Sequence, residues 1–283
     1  MAEISRRQFL RGAGAAVATA LLAAAGSSPP VPPQEPAERV LPLNTKLDKD
    51  HNLLYSANID ALNNQIETIR MVVTGFPEEA NELAQSKGNY LDAFFASCDE
   101  KTACMQVYTG NVVKREEQGI GIETVNVYQK VQENLKHALD KADKPVDLVV
   151  YSFGALSLID LPDEYLNKIR SLRFISPFVG TDVINTSHPI LNKILGVISG
   201  LPSTSDYFGK VKPLVEKLLE AGKSVSVDLG SRDELIKTED VQKAFTDTSL
   251  QVTVDVKDRE HGISANDLVG YFNQLNPQTS PQP

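Results

Sequence analysis

Ser152 stands in "LVVYSFGAL" (148–156), between an apolar run and Gly154. A serine hydroxyl is a poor nucleophile until a base takes its proton. An imidazole can accept that proton near neutral pH and return it to a leaving group. A carboxylate behind the ring fixes its tautomer and stabilises the imidazolium. Downstream, "GSRDEL" offers Asp233 and "DREHGIS" offers His261. These residue types, in the order Ser, acid, His, are sufficient for acyl transfer through a covalent intermediate, provided the fold brings them together.

Each also has a plainer reading. Alone, Ser152 suits the end of a buried strand, and "SRDE" suits a turn or a helix start. Asp228 and Asp182 are alternative acids. Of the four histidines, His261 is the best placed. His137 falls on a long helix facing solvent, His188 precedes Pro189, and His51 precedes the regular elements. Tyr151 reads as packing, and Glu78 and Glu79 as charges favoured at a helix start. Two cysteines and four histidines give no recognisable zinc spacing, so no metal is expected.

The elements that must position these residues alternate. "ETIRMVVTG", "ACMQVYTG", "PVDLVVY", "LRFISPF", "SVSVDLG" and "LQVTVDV" read as six strands. The unbroken apolar run of the third suits a strand buried on both faces of a parallel sheet. "PEEANELAQ", "ETVNVYQKVQENLKHALDKA", "VKPLVEKLLEAG", "EDVQKAFTD" and "SANDLVGYFNQL" read as helices, with "ALSLIDLP" a helix or helical turn. On the second helix Val127, Val131, Leu135 and Leu139 share one face. Ser264 is the N-cap expected for the last. "HNLLYSANI" holds a strand or two. The fold class is therefore α/β: a mostly parallel central sheet with helices on both faces. Residues 179–209 break the rhythm and read as an insertion above the sheet, whose "ILNKILGVISGL" is either a lid over an acyl pocket or a helix packed on the fold.

Ligands of such sheets bind beyond the carboxyl ends of the strands, and Ser152, Asp233 and His261 each follow a strand. This order on this series of elements resembles the α/β-hydrolase superfamily over about residues 65–275. The resemblance implies Ser152 as the nucleophile at the elbow, Asp233 as the acid after the penultimate strand and His261 as the base before the last helix. It also implies an oxyanion hole of two backbone N–H groups, Phe153 after the nucleophile and Phe76 in "TGF". Asp182 occupies a position used for the acid in some related enzymes. Two positions depart from the pattern. Val150 stands where G-x-S-x-G has its first glycine, and Thr74 stands where many members have His. Val150 supports a second reading, a binding or scaffolding protein that kept the fold without the chemistry. A third reading, a redox protein, has a little support from the export route noted below; against it, no dinucleotide fingerprint follows a strand, and no cofactor is expected.

The chain opens with "SRRQFLRGAGAAVATALLAAAG", which resembles a bacterial or archaeal twin-arginine (Tat) signal: Arg6 and Arg7, Phe9 and Leu10, then an Ala/Gly-rich stretch with small residues suited to cleavage. The resemblance implies the Tat translocase as a partner during export, and a periplasmic or extracellular location. The expected organisation is a signal at 1–25, a Pro-rich linker at 26–39, one hydrolase-like domain at 40–276 and a frayed tail at 277–283. In an exported chain Cys98 and Cys104 can close a short disulfide or remain thiols. The net charge of -9 over 283 residues, without a Lys/Arg run, argues against a nucleic-acid partner and leaves a small-molecule or acyl substrate.

Overall fold

The computed structural model describes residues 44–60, 65–75, 90–108, 127–187 and 200–275. The signal, the linker, Phe76, the helix read at 77–85, His188 with most of the apolar insertion segment, and the tail lie outside the described residues.

Eight strands form one sheet in the order β1-β2-β4-β3-β5-β6-β7-β8. They are β1 (Thr45–Asp48), β2 (Leu53–Ser56), β3 (Thr68–Val73), β4 (Thr102–Val107), β5 (Val146–Tyr151), β6 (Ile169–Ile175), β7 (Ser224–Gly230) and β8 (Thr253–Lys257). The last six run parallel, while β1, β2 and β4 pair antiparallel. The hairpin β1–β2 is where the sequence reading was least complete. One strand lies inside "HNLLYSANI" and the other just upstream, across a turn in which Asn52 takes a positive φ.

Alternation along each strand explains the two helical layers. In β5, Val146, Leu148 and Val150 face one core and Val149 and Tyr151 the other. The first core is closed by helix α2 (Val127–Lys141) through Val131, Leu135 and Leu139, and by α4 (Thr204–Glu220) and α5 (Thr238–Asp247). The second is closed by α1 (Tyr90–Ala96), which the sequence reading did not name, and by α6 (Ala265–Leu275), through Phe94, Leu268 and Phe272. Every residue of β5 is buried. Each large aliphatic side chain so buried contributes about 1.5–3 kcal/mol, so β5 is anchored from both sides.

A four-residue helix, α3 (Asp163–Leu166), precedes β6. Helix α4 starts seven residues earlier than its apolar face suggests. Ser203 and Asp206 form a reciprocal capping box that fixes the start at Thr204. Residues 204–209 therefore belong to a core helix, not to an insertion above the sheet, and Tyr207 donates a hydrogen bond to the Ala155 carbonyl at 3.2 Å. Ser264 caps α6 as expected, accepting from the Asp267 N–H at 3.0 Å. Cys98 and Cys104 are disulfide-bonded, tying the end of α1 to β4.

Candidate active site

At the carboxyl end of β5 the chain turns sharply. Tyr151 is still extended, Ser152 has φ +50°, and residues 152–158 form a 3-10 turn. A β-carbon makes that backbone region unfavourable by about 1–2 kcal/mol, so the surroundings must hold it. The Phe178 N–H donates to the Ser152 carbonyl at 2.9 Å. Gly154 passes so close to β3 that a β-carbon there would stand 2.5 Å from the Val73 carbonyl oxygen and 2.6 Å from that of Thr74. On the other side a β-carbon on Gly75 would lie 2.9 Å from the Ser152 β-carbon.

These two glycines explain how Val150 is tolerated. Its side chain lies wholly within the sheet core, and its backbone pairs with Val73 and Phe174. The crowding that a small residue at 150 would relieve is relieved across the sheet, by Gly75. Thr74 is also buried, its hydroxyl donating to the Val107 carbonyl at 3.3 Å.

Asp233 follows β7 and His261 follows β8. The Asp233 Oδ1 accepts from the backbone N–H groups of Leu235 and Ile236, both at 2.9 Å. Its Oδ2 lies 2.7 Å from His261 Nδ1, and His261 Nε2 lies 2.9 Å from Ser152 Oγ. An ionised carboxylate only accepts, so Nδ1 carries the ring proton and Nε2 accepts the serine hydroxyl. The Asp233 and His261 side chains are 2% and 7% exposed, which excludes bulk water from the contact between them. Burial pushes the Asp233 carboxyl up. The charge and hydrogen bond of His261 and the N–H groups of Ile236 and Leu235 outweigh it, leaving the carboxyl below its ordinary value.

The two loops are joined to each other by backbone. Ser231 N–H donates to the Lys257 carbonyl at 2.8 Å and Arg232 N–H to that of Arg259 at 3.0 Å. Gly230 permits this approach, since a β-carbon there would stand 2.5 Å from the Arg259 carbonyl oxygen. Tyr151, read as packing, also donates from its hydroxyl to the His261 carbonyl at 3.1 Å, linking the His261 loop to the turn at Ser152.

The alternative acids have other partners. Asp228 is buried in ion pairs with Arg173 and with Lys257, the latter at 2.9 Å. Asp182 accepts from the Thr204 N–H at 3.0 Å, at the start of α4. Phe153 stacks on Phe178 with ring centroids 4.4 Å apart, which fixes the backbone just after Ser152. Gly75, Gly230 and the Tyr151 hydroxyl are the supports that the sequence reading missed. A glycine at the end of a strand was their only visible trace. His51 and His137 lie together beside Asp48.

Residues 3–23 match the family of TAT (twin-arginine translocation) pathway signal sequences. No curated protein matches the chain. Among solved structures it is similar to a Bacteroides ovatus protein named a dipeptidyl aminopeptidase IV, with TM-score 0.50, 12% identity, 82% of this chain covered and 34% of that one. The chain thus spans about a third of the length of that protein. Est1E from Butyrivibrio proteoclasticus is also similar, with TM-score 0.48, 14% identity, and 79% of this chain and 91% of that one covered. An alpha-beta serine hydrolase homologue from Coxiella burnetii has TM-score 0.44 and 14% identity, over 86% of this chain and all of that one. The chain has the α/β-hydrolase fold and carries a Tat signal, which directs it to export across the membrane. Among the described residues no helix is long and apolar enough to cross a membrane.

Proposed function

We propose that this chain, with residues 1–25 removed after export, is a serine hydrolase that cleaves an ester, thioester or amide bond through an acyl-enzyme. One observation carries the reading: an unbroken hydrogen-bonded chain from Asp233 through His261 to Ser152, whose backbone has φ +50°. Ser152 Oγ attacks the substrate carbonyl carbon as His261 Nε2 takes its proton. Asp233 holds the imidazolium by accepting from Nδ1. The Phe153 N–H is one donor to the oxyanion, and the α/β-hydrolase resemblance implies the Phe76 N–H as the second, each such donor being worth about 3–4 kcal/mol to the transition state. The imidazolium then returns its proton to the leaving group, and water repeats the sequence on the acyl-enzyme.

The binding or scaffolding alternative rested on Val150. Its burial inside the sheet, with Ser152 still in the left-handed turn, favours the enzyme. A fluorophosphonate probe tests the reading. Labelling of the intact protein that disappears in Ser152→Ala supports it. An unlabelled protein, or equal labelling of the alanine variant, overturns it.

A further inference from the structure

Three potential metal ligands converge at the sheet edge opposite to β8. Asp48 ends β1, His51 lies in the turn to β2, and His137 comes from α2, 89 residues from Asp48 along the chain. The Asp48 Oδ1 accepts from the N–H groups of Asp50 and His51, both at 3.1 Å. These bonds fix the carboxylate plane; Oδ1 also lies 3.1 Å from His51 Nδ1, while Oδ2 faces both rings. The Oδ2 lies 3.0 Å from His51 Nδ1 and 3.0 Å from His137 Nε2. All three donor atoms lie within 4.8 Å of one another.

We propose that Asp48, His51 and His137 form a site for a divalent first-row transition metal, with zinc as the ion to test first. Ligands about 2.0–2.2 Å from a tetrahedral zinc are separated by about 3.3 Å, and both nitrogen-to-oxygen distances here are close to that edge. Two imidazoles and one carboxylate are a donor set that suits zinc, nickel or copper, whereas magnesium and calcium prefer all-oxygen sets. A tetrahedral ion held by these three would take water as its fourth ligand. The backbone bonds to Oδ1 play the orienting part that outer partners play in metal centres.

The rings lie stacked, with centroids 3.5 Å apart and planes within 7°. Each nitrogen lone pair lies in its ring plane, so binding one ion through both rings requires them to splay. His51 can turn to do so, because its side chain is 45% exposed in the hairpin turn. The contacts to Asp48 are then replaced by bonds to the ion, with each neutral ring carrying its proton on its other nitrogen. An ion there would clamp the β1–β2 hairpin to α2. The inference is independent of the proposed hydrolase activity.

The test uses the untagged chain. Zinc chloride is titrated calorimetrically into the wild type and into the double variant His51→Gln, His137→Gln. One ion per chain is expected, with affinity reduced more than about 100-fold in the variant, beyond the loss caused by removing even an outer-shell partner. Zinc should raise the melting temperature of the wild type only. Hydrolysis of a test ester should be equal in the two metal-free proteins. A histidine NMR spectrum of the wild type provides a measurement that needs no variant, with zinc shifting the ring signals of His51 and His137. No binding at millimolar zinc, equal affinity in the variant, or shifts confined to other histidines overturns the proposal.

Discussion

Gly75, at the end of β3, leaves just the room that the Ser152 β-carbon occupies; a β-carbon on Gly75 would approach it to 2.9 Å and the Tyr151 ring to 3.1 Å. The elbow is therefore shaped by a residue just beyond the end of the neighbouring strand. Gly75→Ala should displace Ser152 from His261 and lower kcat at least tenfold, since misplacements of an ångström cost about 100-fold. Denaturant unfolding should show a loss of about 1–3 kcal/mol from overpacking. Unchanged kcat would mean that the turn is not held by this contact.

Ser152 should be replaceable without loss of fold. Ser152→Gly removes the β-carbon from a left-handed residue and should be more stable than Ser152→Ala by about 1 kcal/mol. Both should lose activity by on the order of 10⁶-fold on the proposed mechanism. Urea melts and a chromogenic ester assay check the two halves of this expectation.

Asp233→Asn keeps the two backbone N–H partners of Oδ1 but replaces an acceptor with an amide facing His261 Nδ1. The imidazole is then driven to the wrong tautomer, and kcat should fall by about 10⁴-fold with little change in KM. Because the carboxyl is held below its ordinary value, it supplies stability that is complete above the unfolded value of about 3.9 and is lost as pH falls below it. The stability gap between wild type and variant should shrink on acidification through that range, as measured by melts at successive pH values.

Asp60 provides a second acid-sensitive contact, far from the site. Hydrogen bonds first from Lys141 and then from Lys46 outweigh a small burial cost and bring its carboxyl to about 2. Its Oδ1 meets Lys141 Nζ and its Oδ2 meets Lys46 Nζ, both at 2.8 Å. The folded protein thus holds the proton less tightly than the unfolded chain, and stability from this group is lost between about pH 4 and pH 2. Asp60→Asn should lower the melting temperature at neutral pH and converge on the wild type as that window is crossed. A constant difference would show that charge is not what Asp60 contributes.

Tyr151→Phe removes one buried hydrogen bond to the His261 carbonyl, a loss of about 1 kcal/mol. Fluorophosphonate labelling should persist at a reduced rate, since the base keeps its contacts to Asp233 and Ser152. Complete loss of labelling would assign the hydroxyl a larger part.

What could be read in the sequence follows from what is local. Continuous burial of β5 on two faces leaves a continuous apolar word, "VDLVVY", and the loops after β5, β7 and β8 display their polar residues at strand ends. The missing pieces depend on distant partners. Gly75 matters only because β3 lies beside β5. The start of α4 depends on a cap rather than on its apolar stripe. Asp48 and His137 are separated by 89 residues, so no spacing rule could have joined them.

The arms bearing Asp233 and His261 are tied by main-chain bonds, at Ser231 to Lys257 and at Arg232 to Arg259. The side chains of Ser231, Arg232 and Asp258 point into solvent, and the Arg232–Asp258 pair is too exposed to add much. On the proposed function, the rim beside Asp233 and His261 can therefore be repainted with acidic, basic or neutral residues to draw in differently charged substrates, while the carboxylate and the ring keep their spacing.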